Sequence, residues 1–139
     1  MGQTVFIPRE LDANEPRVAA SPETVKRLVG LGFGVIVEKG AGLGSRITDQ
    51  DFAAAGAAIG KAADASKADV VLKVRRPTDA ELKGYKPGAA VIAIMDPYGN
   101  DAALAAMAKA GITAFSMEFM PRITRAQVMD VLSSQANLA

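Results

Sequence analysis

The stretch Val37-Glu38-Lys39-Gly40-Ala41-Gly42-Leu43-Gly44-Ser45 follows an apolar run and carries a glycine at every second position from 40 to 44. A helix start lies just beyond it, with Thr48 placed to cap a helix over Asp49 to Ala55. Apolar run, glycine turn and capped helix, in that order, make a strand–turn–helix unit. Two readings of the glycines compete. One is the phosphate-cradling fingerprint G-x-G-x-x-G of a dinucleotide-binding fold; the other is a tight turn that needs a positive φ or close backbone packing. Gly40 and Gly42 fill the first two fingerprint places, but Ser45 stands at the third and Gly44 comes one residue early. The helical pattern starts only at Thr48, so the glycines do not open it. The acid expected some 20 residues later, at the end of the next strand, falls near Ala62 to Lys67, before that strand begins; Asp64 is there, but in a turn context. The turn reading is the better supported.

The same alternation extends in both directions. Short apolar runs at Thr4 to Ile7, Val35 to Val37, Val70 to Val74, Val91 to Met95 and Thr113 to Met117 are rich in β-branched residues or flanked by turn signals, as strands are. Helix starts fall between them. Ser21-Pro22-Glu23 pairs an N-cap serine with proline at the first helical position. Thr78 and Glu81 have capping-box spacing. Asn100 is placed to cap the alanine-rich run Asp101 to Ala110, which stops at Gly111. Glu10 to Ala20 reads as a loop, and Pro97 and Tyr98 as a turn. Strands alternating with helices at this pitch predict one α/β domain of three layers, Rossmann-like or flavodoxin-like, with a mainly parallel sheet and helices on both faces.

The last segment, Thr124 to Ala139, predicts a helix whose polar stripe holds Gln127, Asp130, Ser133, Ser134 and Asn137. Amides and hydroxyls dominate that stripe, where a solvent-facing one would carry lysine and glutamate. The helix has no terminal glycine cap, so the chain reads as ending inside a helix.

Composition narrows the chemistry. The chain has 139 residues and a net charge of +1, without the basic excess of a nucleic-acid binder. The start MGQTVFIPRE lacks a signal-peptide pattern, and the apolar run Ala89 to Met95 is far short of the roughly 20 residues of a membrane span, which predicts a cytoplasmic protein. There is no cysteine and no histidine. Disulfides, zinc–thiolate sites and histidine-based triads are therefore excluded, and no metal site is expected. What remains is binding, positioning, or a reaction that moves no proton.

Three motifs carry a resemblance. Asn14-Glu15-Pro16-Arg17-Val18-Ala19 with Ser21-Pro22, then Val37 to Gly42, then Leu72-Lys73-Val74, are similar to the N-terminal domain shared by alanine dehydrogenases and proton-translocating nicotinamide nucleotide transhydrogenases. Met120-Pro121-Arg122-Ile123-Thr124-Arg125-Ala126-Gln127 and Met129 to Asn137 resemble the transhydrogenase alpha subunit in particular. The resemblance implies that residues 1–139 are the N-terminal subdomain of an NAD(H)-binding component, with the fingerprint-bearing second subdomain outside this sequence. It implies hydride transfer between NAD(H) here and NADP(H) on a separate component, coupled to proton movement by a membrane component. It further implies a homodimer of the full-length subunit, peripheral on the cytoplasmic side of the inner membrane. Carried onto this chain, Arg122, Gln127, Asp130 and Ser133 face the nicotinamide, and Gln127 and Asp130 are the candidate catalytic positions. Arg122, Asp130 and Ser133 would hold the carboxamide, while Gln127 would reach towards the second nucleotide. Arg17 and Lys73 correspond to substrate-carboxylate groups of alanine dehydrogenases and would form a structural or vestigial anion site.

Each residue also has a plainer reading. Gln127 closes a capping box with Thr124, Asp130 and Ser133 are helix-surface polars, and Arg122 is a loop cation. Lys73, inside an apolar strand, needs a partner or an exposed strand end. Two other functions stand beside the main one: an alanine dehydrogenase-like half, whose histidine after the fourth strand is missing here at Met95-Asp96-Pro97-Tyr98, and a non-catalytic binding or assembly module.

Overall fold

The computed structural model describes residues 2–120. Six strands form one sheet: β1 (Thr4–Ile7), β2 (Gly34–Glu38), β3 (Ala58–Gly60), β4 (Val70–Arg75), β5 (Ala90–Ile94) and β6 (Thr113–Ser116). Their order is β3-β2-β1-β4-β5-β6, and every pairing is parallel. Four helices connect them: α1 (Pro22–Gly30), α2 (Asp49–Ala54), α3 (Asp79–Gly84) and α4 (Asp101–Lys109).

The three layers follow from strand periodicity. Val5 and Ile7 of β1 point into one core with Val35 and Val37 of β2, under Val25 of α1 and Phe52 of α2. Phe6, between them in sequence, points to the other face. There it joins Val71, Val91, Leu82 of α3 and Met107 of α4. Phe6, Phe52, Val25 and Ile7 are sealed from water; burying side chains of this size contributes roughly 1.5–3 kcal/mol each.

The local signals work as expected at most helix starts. Ser21 accepts a hydrogen bond from the Thr24 amide at 3.2 Å. Thr48 with Asp51 and Thr78 with Glu81 form reciprocal capping boxes. Asn100 is the exception. Its side chain donates back to the carbonyls of Asp96 and Tyr98, tying the preceding turn together, and makes no cap bond to α4. The α4 helix also buries less than its alanine content suggests, since Met107 is its one fully buried residue. Strand β3 escaped the sequence reading because it has three residues, a single β-branched one, and an edge position.

The glycine stretch resolves as a turn. Gly40 has φ +80°, and its amide donates to the Asp49 carboxylate at 2.8 Å. Gly42 is a matter of space: a Cβ there would lie 2.7 Å from both the Ile47 carbonyl oxygen and the Phe52 ring. Gly44 presses on the Pro16 carbonyl in the same way. The turn follows β2, whereas a dinucleotide fingerprint in a sheet of this order follows the first strand, at the point where the strand order reverses. No helix among the described residues is long and apolar enough to cross a membrane.

Candidate functional site

In an open parallel sheet, ligands bind at the carboxyl ends of the strands where the order reverses, here between β1 and β4. The paired register of these strands ends early, at Phe6 with Val71. Beyond it, the buried carboxylate of Glu10 takes the amides of Val74 and Arg75 at 3.1 and 2.9 Å. Opposite, the pairing of β4 with β5 shifts register between Leu72 and Arg75. Lys73 sits inside that irregularity, and such bulges re-aim side chains at sheet ends.

Lys73 is sealed from water and held by two carboxylates. Its Nζ lies 2.9 Å from Glu81 and 3.6 Å from Glu10. The partner that an apolar strand demands of a lysine is thus supplied twice. Glu81 does two jobs, closing the capping box of α3 with one oxygen and receiving Lys73 with the other. Arg17 grips Glu15 in a two-pronged fork at 2.7 and 2.9 Å. Arg75 reaches the same carboxylate from β4 at 2.8 Å. The Arg17 guanidinium is the main reason that Glu15 is held at a pKa of about 2, far below the usual glutamate value; burial opposes it, and Arg75 helps. The same contact pushes the Arg17 pKa up.

Arg17 and Lys73 both line one cleft of about 490 Å³. Ser21, Ile92, Ile94 and Met117 are among the other residues around it. Three carboxylates, Glu10, Glu15 and Glu81, pair with three cations, Arg17, Lys73 and Arg75, and of these six Arg17 and Lys73 line the cleft.

A second clamp fixes the loop after β5. Arg76 donates to the carbonyls of Met95 and Asp96, while Glu118 accepts the amides of both. Between them Asp96 is held at φ +46°, a conformation rarely adopted by non-glycine residues. Burial pushes the Glu118 pKa up, but the Ser116 hydroxyl and the two amides outweigh it, so the carboxyl stays ionised. Pro97 and Tyr98 form the expected turn, and Tyr98 meets Phe119 edge to face at 6.0 Å. The last member of this clamp, Glu118, lies two residues before Met120, where the segment carrying Arg122, Gln127, Asp130 and Ser133 begins. Those four residues, and the helix expected over Thr124 to Ala139, lie outside the described residues. The clamp was not read from the sequence, because Arg76 and Glu118 are 42 positions apart and meet only through the sheet. Glu15 and Glu81 stood within recognised motifs, yet nothing in their spacing paired them with Arg75 or Lys73. Among the described residues no cluster of carboxylates is arranged to hold a metal ion.

Residues 6–139 match the family described as alanine dehydrogenase/PNT, N-terminal domain. The chain belongs to this family. It is 53% identical to an NAD(P) transhydrogenase alpha-subunit polypeptide of Rhodospirillum rubrum, over 97% of this chain and 37% of that protein. It is 32% identical to "Alanine dehydrogenase 1" of Staphylococcus aureus, over 95% of this chain and 36% of that protein. A solved structure of transhydrogenase from Sinorhizobium meliloti superposes with a TM-score of 0.95 at 67% identity, covering 98% of this chain and 41% of that one. The chain therefore spans about two fifths or less of the length of these relatives. Both halves of the family expectation are met, and the transhydrogenase members are the nearer kin of those compared.

Proposed function

We propose that residues 1–139 are the N-terminal subdomain of the NAD(H)-binding component of a proton-translocating NAD(P) transhydrogenase, and that they form one wall of the cleft where hydride passes between NAD(H) and NADP(H). The observation that carries this reading is the 67% identity to a transhydrogenase across nearly the whole chain. The lack of any histidine agrees with it, because hydride transfer between nicotinamides needs no general acid whereas reductive amination of a keto acid does.

The cleft at the strand ends suits a nicotinamide. Leu72, Ile92, Ile94 and Met117 offer an apolar bed for a flat ring, while Ser21, Thr24 and Ser45 supply hydroxyls. Bound NAD(H) supplies the hydride; the chain's own residues bind and orient. Arg122, Asp130 and Ser133 match a carboxamide, which offers both donors and an acceptor. Gln127 faces the second nucleotide and aligns the rings, so its contribution is orientation, which in general accounts for a large share of such barriers. The clamp ties Met95 and Asp96, after β5, to Glu118, just ahead of this segment. Arg17 and Lys73, each matched by internal carboxylates, serve the domain's architecture as a structural or vestigial anion site.

On this reading NADP(H) sits on a partner component, a membrane component couples the transfer to proton movement, and the full-length subunit is a homodimer held peripherally on the cytoplasmic side of the inner membrane. The test is kinetic. In the complete subunit, Gln127→Asn lowers the hydride-transfer rate much more than NADH affinity, measured by single-turnover transfer and by titration. Equal losses in both would reduce Gln127 to a binding residue. The 139-residue chain alone binds NADH weakly or not at all, and micromolar binding in a direct titration would sink the two-subdomain reading.

A further inference from the structure

The sheet's ladder gives out where the cleft at the strand ends begins. Pairing of β5 with β6 ends at Ala93 with Ser116. Pairing of β4 with β5 shifts register between Leu72 and Arg75. Ile94 and Met117, which both line the 490 Å³ cleft, lie past the last β5–β6 pair. That ladder therefore does not fix Met117 against Ile94.

Side chains take over at this point. The Glu118 carboxylate accepts the Met95 amide at 2.9 Å with Oε1 and the Asp96 amide with Oε2. The Ser116 hydroxyl donates to Oε1 at 2.6 Å. Arg76, one residue past β4, donates to the Met95 and Asp96 carbonyls at 2.8 and 3.1 Å. Met95 follows Ile94 in the chain, and Glu118 follows Met117. One carboxylate thus bridges the two segments that carry these cleft residues.

Glu118 differs from an ordinary staple in two respects. The residue is exposed, so core packing does not account for its contacts. The turn it holds is strained, with Asp96 at φ +46°, and a non-glycine residue keeps such a conformation only where its surroundings over-determine it. Strain of this kind gathers at ligand sites.

We propose that Glu118 is a positioning residue for hydride transfer, acting through Ile94 and Met117, whose relative placement it fixes and against which the nicotinamide ring rests. This role rests on the nicotinamide reading of the cleft. Its effect falls on rate rather than affinity. A loosened wall still offers its apolar area to the ring, but the ring then spends less time aligned with its acceptor.

In the complete subunit, Glu118→Gln keeps one carbonyl acceptor and turns the other oxygen into a donor facing an amide. In single-turnover mixing with the NADP(H)-binding component, the variant should transfer hydride about tenfold more slowly, while NADH affinity by titration changes less than about twofold. Asp69→Ala removes the Lys86 pair and the Thr4 amide contact at the opposite end of the sheet, so it weakens the fold away from the cleft and should transfer at the parent rate. In the 139-residue chain labelled at its methionine methyls, Glu118→Gln should shift or broaden the Met117 signal and leave that of Met107, buried on α4, unchanged. Should Glu118→Gln fail to fold, Ser116→Ala removes a single bond to the same carboxylate and should slow transfer about threefold at unchanged affinity. An unmoved Met117 signal overturns the clamp, whatever the complex does. The parent rate in Glu118→Gln, or in Ser116→Ala where that variant stands in, overturns the positioning role. So does an equal loss of NADH affinity, or an equal slowing by Asp69→Ala. A parent subunit that transfers no hydride overturns the transhydrogenase reading, and this role with it, even where the Met117 signal moves.

Discussion

Lys73→Met is the most direct test of how the strand ends are held. The substitution keeps the length and apolar stem of the side chain and removes the charge. It strands two carboxylates. Glu10 is almost fully buried, and Glu81 keeps only 14% of its side chain exposed. Removing one partner of a buried ion pair costs about 3–5 kcal/mol, because the charge left behind is neither solvated nor paired. Glu10 retains the amides of Val74 and Arg75, which puts the expected loss near the lower bound, about 3 kcal/mol. A domain has roughly 5–15 kcal/mol in total, so the variant folds but its urea midpoint drops sharply. The discriminating measurement is a double-mutant cycle with Glu81→Gln, read by far-UV circular dichroism. Glutamine keeps the acceptor for the Thr78 amide, so the capping box survives and the charge alone changes. The double variant should be more stable than the sum of the single losses predicts, by about 1–3 kcal/mol. Strict additivity, or a Lys73→Met loss below about 1 kcal/mol, would refute the buried-pair account and leave Lys73 free to serve a ligand instead.

Three further outcomes follow from particular contacts. Glu15 has its pKa depressed to about 2 from the ordinary 4.5, so its stabilisation is complete above pH 4.5 and is lost as pH falls towards 2. The full difference corresponds to about 3 kcal/mol, reduced to roughly 2 because the Arg17 and Arg75 side chains are about half exposed and screened; Glu15→Gln should flatten the melting temperature over that acid window, and an unchanged profile would remove Glu15 from the account. Gly42→Ala should destabilise by about 1–3 kcal/mol, because its Cβ meets the Ile47 carbonyl and the Phe52 ring at 2.7 Å, neither of which can move cheaply. Gly30→Ala, at the end of α1 with nothing within 4 Å, should instead stabilise by about 0.5–1 kcal/mol; denaturant melts in which both alanines act alike would show that space does not decide these positions.

Local chemistry was legible in this chain. Ser21, Thr48 and Thr78 announce their helices because a cap is a contact across three residues. Alternation of short β-branched runs with those caps was enough for a parallel three-layer fold. The failures were local signals overridden by neighbours: Asn100 turned back to its own turn, and β3 is a strand because Val37 and Glu38 offer it an edge. The missing histidine and cysteine also bounded the chemistry without any structure, since an absent side chain can do nothing in any fold.

Other features belong to the tertiary structure. Spacing alone could not show that Arg76 and Glu118 pinch the Met95–Asp96 backbone, that Lys73 lies between Glu10 and Glu81, or that Tyr85 is buried with its hydroxyl unpaired among the described residues. Each depends on the strand order β3-β2-β1-β4-β5-β6, which brings residues dozens of positions apart to one end of the sheet. Periodicity reveals that strands exist and which side chains share a face. It carries no information on which strand lies beside which, because pairing is decided by packing the whole apolar surface at once. The glycines after Val37 show the division clearly. Their spacing already favoured a turn over a phosphate loop; the placement of that turn after β2, beside Phe52 and Pro16, shows which close approaches demand glycine there.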